Sequence, residues 1–472
     1  MKHSKIYQHE NTGKELIPPF LKGELGNTIH LHSWSRERVP EYIWLGLLRD
    51  SCATKKEYFD KFYNLKEYIL NRFEEPLDKF SNILKMDKSN KKELFEIIVD
   101  IFGPYVLDSL IVVSYFDDDI REIFYNKDNN NDKRILKIQE IVTKMYERYD
   151  EFAMDVRYSV IILKLNRVRF LSNLKDSIMI EALTKYPYMD YDSPEMELYS
   201  TSLSSFEGMD FSFNNSYEYS KYFYEEMYLM TDCNPMILSY EENVDYEEIK
   251  EKMLELRKLL IKSKEITYDD KRDVIIGNIT YVYKMIKEII SNNLGNSIVS
   301  RFVLRTISEI YVNIKFLCLK SKTEPKIWES FKDYGNGKYK LIYKKIEEGI
   351  STAKNCSHFN SNILKLLSNE NKSEEFLKVS FTNFANKNTR QKFIDVGEKD
   401  LYDTYYDHDT CFSHGYWGAI RESSLLFCDN AAHNYHSVSD VECEQKLICC
   451  YSDLCFLLDK IIKIMNEELG VE

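Results

Sequence analysis

S-I-V-S-R-F-V-L-R-T-I-S-E-I-Y-V-N-I-K-F-L-C-L-K, running from Ser297 to Lys320, is the stretch that decides the fold class. At 3.6 residues per turn, Val299, Val303, Leu304, Ile307, Ile310, Tyr311, Ile314, Leu317 and Cys318 share one broad face, which predicts a helix packed into a core. Arg301, Arg305, Ser308, Val312 and Lys315 fall opposite, flanked by Phe302 and Phe316. Arginines in such a setting are expected to be partly buried, and a buried guanidinium calls for a carboxylate. Glu309, one turn beyond Arg305, is the local choice; Asp403, Asp407 and Asp409 are distant ones.

The rest of the chain repeats the helical pattern. Its 472 residues are 44% apolar, enough for two or three cores, while 15 Gly and 9 Pro leave few turn clusters to break long helices. The expected fold is therefore all-α or mainly α. Residues 1–185 read as an N-terminal helical domain, 186–245 as an irregular acidic, aromatic-rich connector, and 246–472 as a C-terminal helical bundle. In the first part, Pro40 and Glu41 open a helix after Arg36 and Arg38. Thr54 with Glu57, and Asn90 with Glu93, form capping boxes. Val106 to Phe116 reads as a core helix, Asp117 to Asp119 as a solvated acidic turn, and Phe152 to Leu174 as a helix. The connector holds one helix, Tyr217 to Met230. In the last part Gly335-Asn336-Gly337 reads as a turn, Ser373 to Ser380 as a short helix, and Ser439 with Glu442 as the start of a final long helix carrying Cys443 and Cys450.

A net charge of −13 sets the protein as a whole against nucleic acid and anionic membranes, so any phosphate contact must come from a local patch. No run approaches the ~18 apolar residues of a spanning helix, and no leader is expected at the N-terminus; the chain reads as cytoplasmic, with no membrane partner. Ten cysteines without a C-x-x-C pair are expected to be reduced, buried thiols. His408, Asp409, His433 and His436 match no closed metal pattern, so neither a metal nor another cofactor is expected. Scarce glycine also leaves no phosphate-cradling loop.

The most chemically specific residues lie in Tyr402 to Ile420, Y-D-T-Y-Y-D-H-D-T-C-F-S-H-G-Y-W-G-A-I. His414 could act as general acid or base, and Arg305, with Glu309 beside it, could stabilise a developing phosphorane. Arg301, Tyr406 and Ser413 could bind and orient the phosphate. That is the minimum for metal-independent RNA cleavage by a 2′-hydroxyl. The alternative is a non-catalytic helical scaffold or sensor that binds a protein partner, in which the same residues hold the fold together. Oligomeric state is open, a homodimer included.

Three motifs carry a resemblance: W-S-R-E-R-V-P-E-Y-I-W from Trp34, R-x-x-x-E at Arg305 and Glu309, and the segment joining Tyr406 to S-H-G-x-W at Ser413, His414, Gly415 and Trp417. Together they resemble a family of helical bacterial proteins to which no activity is attached. The resemblance implies an effector or accessory role near phage-defence or toxin-like genes, with RNA in a local pocket or the product of a neighbouring gene as partner. The pairing of arginine and histidine also resembles the HEPN ribonucleases. Those enzymes carry the histidine four to six residues after the arginine on one helix, a spacing found at no histidine of this chain.

Overall fold

The computed structural model describes residues 6–17, 30–74, 77–114, 117–147, 149–165, 178–210, 218–238, 240, 246–264, 268–349, 357–434 and 436–470. They are mainly α-helical, with strands of two to four residues. The chain forms two compact units, Met1–Met236 with Phe427–Val438, and Ile237–Leu426 with Ser439–Glu472.

The first unit is built around α1, Val39–Asp50, in which every residue from Val39 to Leu48 is buried. Such all-round burial needs close neighbours. Gly46 provides one approach, since a Cβ there would stand 2.7 Å from Ile141 Cγ2 and 2.9 Å from the Met145 sulfur. Around α1 lie α2 (Lys55–Arg72), α3 (Lys88–Phe102), α4 (Asn131–Tyr146), α5 (Glu151–Leu165), α6 (Met196–Glu207) and α7 (Glu218–Met230). The W-S-R-E-R-V-P-E start is part of this core. Trp34 Nε1 donates to the Met145 carbonyl at 2.7 Å, and the Arg157 guanidinium lies 3.8 Å from the Trp34 ring centre. Arg38 pairs with the buried Glu207, which also accepts from Tyr42 Oη at 2.9 Å. Glu41, in the first turn of α1 as read, is fully buried and accepts from the Ser81 amide at 2.8 Å; burial raises its carboxyl above the usual range.

Several local expectations give way here. Thr54 caps α2 as read, with its hydroxyl accepting from the Glu57 amide. The cap of α3 is Asp87, which accepts from the Asn90 amide at 3.0 Å. Glu93 is instead drawn to Arg72 and Tyr68, both at 2.7 Å. Between Val106 and Phe116 the chain makes a buried 3-10 turn, Asp108–Val113, because Asp108 must reach the Arg134 guanidinium at 2.8 Å. The three aspartates after it are not a solvated turn: Asp117 caps a helix, and Asp117 and Asp119 sit 2.6 and 3.3 Å from Lys91. The helix expected over Phe152 to Leu174 is present through Leu165, the remainder lying outside the described residues. Within residues 186–245, α6 and α7 send Leu203, Phe223 and Met227 into the core of this unit. Tyr217, placed at the start of the connector helix, also lies outside the described residues.

The second unit is a bundle of α8 (Tyr246–Lys262), α9 (Asp270–Ser291), α10 (Ile298–Ser321), α11 (Ile327–Glu347) and, much later in sequence, a helix over Tyr451–Leu469. Leu304, Ile307, Ile310, Tyr311, Ile314 and Leu317 of α10 are buried as the periodicity predicts, whereas Val299 is exposed. The opposite side is buried too: Arg301, Ser308, Val312 and Phe316 are covered, so α10 runs through the unit rather than along its surface.

Three breaks in the expected pattern have physical causes. Gly335 and Gly337 lie inside α11; a Cβ at Gly337 would stand 2.7 Å from the Lys378 carbonyl oxygen, so glycine there marks a close approach and not a turn. Residues 373–380 form no helix, because α11 lysines take their carbonyls: Lys340 Nζ reaches Leu377 O at 2.9 Å and Lys338 Nζ reaches Ser380 O at 2.7 Å. The last helix begins at Tyr451 and not near Ser439. Before it, the Leu447 and Cys450 amides donate to the Asn296 and Gly295 carbonyls at 3.0 and 3.2 Å, and an extended segment cannot also be helical. Cys443 and Cys450 therefore do not share a helix.

Candidate functional site

The stretch Lys399–Ser413 crosses α10. After a three-residue turn it forms a π-helical segment, Tyr402–Tyr406, and then α12, Asp407–Ser413. On α10, Arg301 and Arg305 are one turn apart and point to the same side. Arg305 is half-buried. Its Nε donates to Thr410 Oγ1 at 3.0 Å, its Nη2 donates to Tyr406 Oη at 2.6 Å, and its guanidinium carbon lies 4.6 Å from the Tyr406 ring centre.

None of the four acids expected to neutralise Arg305 does so. Among the described residues no carboxylate oxygen lies within 4.0 Å of it. Two hydroxyls and an aromatic face take that place, which gives acceptors to Nε and Nη2 without cancelling the charge. Glu309 Oε1 instead accepts from Thr389 Oγ1 at 3.4 Å. Tyr406 is nearly buried; desolvation first, and then the Glu309 charge, push its phenol above the ordinary range, with Arg305 opposing.

Arg301 is buried, and its Nη2 donates to the Ile448 carbonyl at 2.6 Å. Beside it lies a pair of which the sequence suggested His408 only as a metal ligand and Asp409 as a metal ligand or an arginine's partner. His408 Nδ1 is 2.9 Å from Asp409 Oδ1, with the histidine exposed and the aspartate buried. The hydrogen bond to Asp409 raises the His408 pKa. Burial raises Asp409, against the pull of His408 and Arg301. An exposed imidazole backed by a buried carboxylate is the arrangement of a general base, so His408 joins the candidate residues. The D-H-D triplet was its only signal in the sequence.

Ser413 Oγ donates to the Asp409 carbonyl at 3.2 Å. His414 closes α12, its amide donating to the Thr410 carbonyl at 3.1 Å. Gly415, at φ +60°, then turns the chain so that the exposed His414 ring stacks on Tyr416, with centroids 5.7 Å apart. Among the described residues no hydrogen bond, ion pair or ring contact joins His414 to Arg305. Tyr416 and Trp417 are 56% and 65% exposed, which leaves an aromatic surface beside His414.

The remaining residues weighed as metal ligands, His433 and His436, belong to the first unit. There they stand with Cys233 and Cys428, and one ligand atom from each of the four lies within 4.8 Å of the others. Cys233 is far from the other three in sequence, which is why no spacing pattern revealed the group.

These features define a mainly helical protein with a charged hydroxyl- and aromatic-lined centre in its second unit. Residues 272–433 match the profile of a family of unknown function, DUF5677. The match takes in α10, α12 and the residues from Arg301 to His414 discussed above. No curated protein and no solved structure matches the chain. No helix among the described residues is long and apolar enough to cross a membrane.

Proposed function

We propose that the second unit carries a phosphate-binding centre for single-stranded RNA, built on Arg305, with metal-independent cleavage of the bound strand as its chemistry. The observation that carries this reading is the electrostatic state of Arg305. Arg38, Arg49 and Arg134, which are buried or nearly so, each meet a carboxylate, whereas Arg305 meets the hydroxyls of Tyr406 and Thr410 and has no acid against it among the described residues. A half-buried cation held in place by neutral groups is pre-oriented for an anion. Arg301 adds a second positive charge one turn away. The exposed Tyr416 and Trp417 offer surfaces on which bases can stack without regard to sequence. His408 or His414 would move the protons, Glu309 would tune Tyr406, and Ser413 would help hold the phosphate. A bacterial effector or accessory role linked to defence belongs to the same proposal.

The second reading, a helical scaffold that binds a protein partner, is favoured by one fact: two donor groups of Arg305, Nε and Nη2, are already taken by Thr410 and Tyr406 of the crossing stretch. Binding of a labelled single-stranded RNA, together with total RNA integrity in expressing cells, separates the two. Arg305→Gln should weaken binding at least tenfold and flatten its salt dependence. His408→Ala or His414→Ala should stop cleavage with binding retained. Wild-type protein that is folded, binds no RNA at low salt and leaves cellular RNA intact would refute the RNA reading.

A further inference from the structure

The Cys233, Cys428, His433 and His436 group lies wholly in the first unit and shares no residue with the centre just discussed. Two chain segments bring it together. Cys233 follows the end of α7, and Pro235 and Met236 pair antiparallel with Cys428 and Phe427. The Asp429 amide also donates to the Asn234 carbonyl at 3.2 Å. After Cys428 a 3-10 turn, Ala431–His433, swings the two histidines back toward the strand pair, with the His436 amide donating to the His433 carbonyl at 3.0 Å.

Three of the distances match edges of a coordination tetrahedron, and the other three lie under 4.8 Å. With zinc–sulfur bonds of about 2.3 Å and zinc–nitrogen bonds of about 2.0–2.1 Å, the edges of the figure come to about 3.8 Å for S···S and about 3.5–3.6 Å for S···N. Here the two sulfurs are 3.8 Å apart. Cys428 Sγ is 3.5 Å from His433 Nδ1, and Cys233 Sγ is 3.4 Å from His436 Nδ1 and 3.7 Å from its Nε2. Both cysteines are free thiols, and a disulfide would need sulfurs at about 2.05 Å. A thiol–imidazole hydrogen bond would account for one such contact, but not for two thiols and two imidazoles gathered within 4.8 Å of one another.

The surroundings fix the protonation that a ligand needs. Thr231 has one hydroxyl proton and gives it to the Met227 carbonyl at 2.6 Å. Thr231 Oγ1 must then accept from His433 Nε2, 2.7 Å away, so the Nε2 of His433 carries the ring proton. That leaves His433 Nδ1, the atom facing Cys428, with its lone pair free. The Asn430 side-chain amide donates to the same hydroxyl at 3.2 Å and holds it there. A hydrogen bond to the far nitrogen of a histidine is how metal-binding rings are commonly oriented. The Tyr228 ring packs against both imidazoles, at 5.4 and 5.1 Å between centroids, and screens one side from water.

We propose that Cys233, Cys428, His433 and His436 bind one zinc ion in a closed, four-ligand site that fastens residues 427–438 to the end of α7. On binding, the two thiols each release a proton, and the two thiolates balance the charge of the ion. With all four positions taken by protein, no place is left for a water or substrate, so the site is structural and not catalytic.

The test uses the full chain, purified under reducing conditions and incubated with zinc before gel filtration. Elemental analysis should find about one zinc per chain, falling at least tenfold in Cys233→Ser and Cys428→Ser. Titrating the zinc-free protein with cobalt(II) should give strong visible d–d bands of a tetrahedral ion and a thiolate-to-cobalt charge-transfer band, with about two protons released per ion. Should the serine variants fail to fold, His436→Cys decides: it should keep the ion and strengthen the charge-transfer band. Substoichiometric zinc in the folded wild type, or cobalt spectra lacking thiolate bands, would overturn the proposal.

Discussion

Glu207 is the residue whose loss should be felt most in the first unit. It is fully buried, and it faces Arg38 directly, with Arg157 Nε 3.9 Å away and Tyr42 Oη donating at 2.9 Å. Burial alone would raise its pKa; Arg38, Arg157 and Lys164 outweigh that and hold the carboxyl below the usual glutamate range. Glu207→Gln keeps the shape and removes the negative charge that faces the Arg38 and Arg157 guanidinium groups. Removing one member of a buried ion pair costs about 3–5 kcal/mol. In a unit of about 250 residues each kcal/mol moves Tm by roughly 2–4 °C, so calorimetry should show a fall of roughly 6–20 °C. The pH dependence has a fixed sign. A depressed carboxyl contributes stability that is present above its unfolded pKa and lost as pH falls through the lower folded value. The gap between wild type and variant should therefore be full at pH 7 and close in acid. Arg38→Met combined with Glu207→Gln should lose less than the sum of the single changes. A Tm change below about 2 °C for Glu207→Gln would refute the claim that this network holds the core together.

Two glycines of α11 should respond oppositely. Gly337→Ala should lower the unfolding free energy read from urea denaturation by about 1–3 kcal/mol, since its Cβ meets the Lys378 carbonyl, while Gly335→Ala, with nothing within 4 Å, should stabilise by about 1 kcal/mol. In NMR titrations His408 should show a midpoint above that of a free imidazole, and Asp409→Asn should bring it down. Because that pKa is raised, the stability His408 adds is full below its unfolded value and fades as pH rises through the folded one; equal midpoints in both proteins would remove it as a candidate base.

The helical class was legible because amphipathic periodicity is a property of one segment at a time, and Leu304 to Leu317 obey it. What local pattern could not show was a neighbour's demand on the backbone. Gly337 looks like a turn until Lys378 is placed against it, and Ser439 to Cys450 look helical until the Gly295 and Asn296 carbonyls claim their amides. The candidate centre divides along the same line. Arg305, Tyr406 and Thr410 meet as two segments cross, and the pairing of Arg305 with hydroxyls in place of the four candidate acids follows from packing that no spacing encodes. Cys233 and Cys428 are the extreme case, brought to 3.8 Å by a strand pair of two residues.

The return of Phe427–Val438 to the first unit bears on how the protein is made. Ribosomes add about 5–20 residues per second, so roughly 10–40 s pass between the emergence of Met236 and that of Phe427. Throughout that interval the nascent first unit lacks the strand that pairs with Pro235 and Met236 and the turn that carries Ala432 into its core. The first unit can therefore complete its core and its strand pairing only late in translation, after Phe427–Val438 has been made.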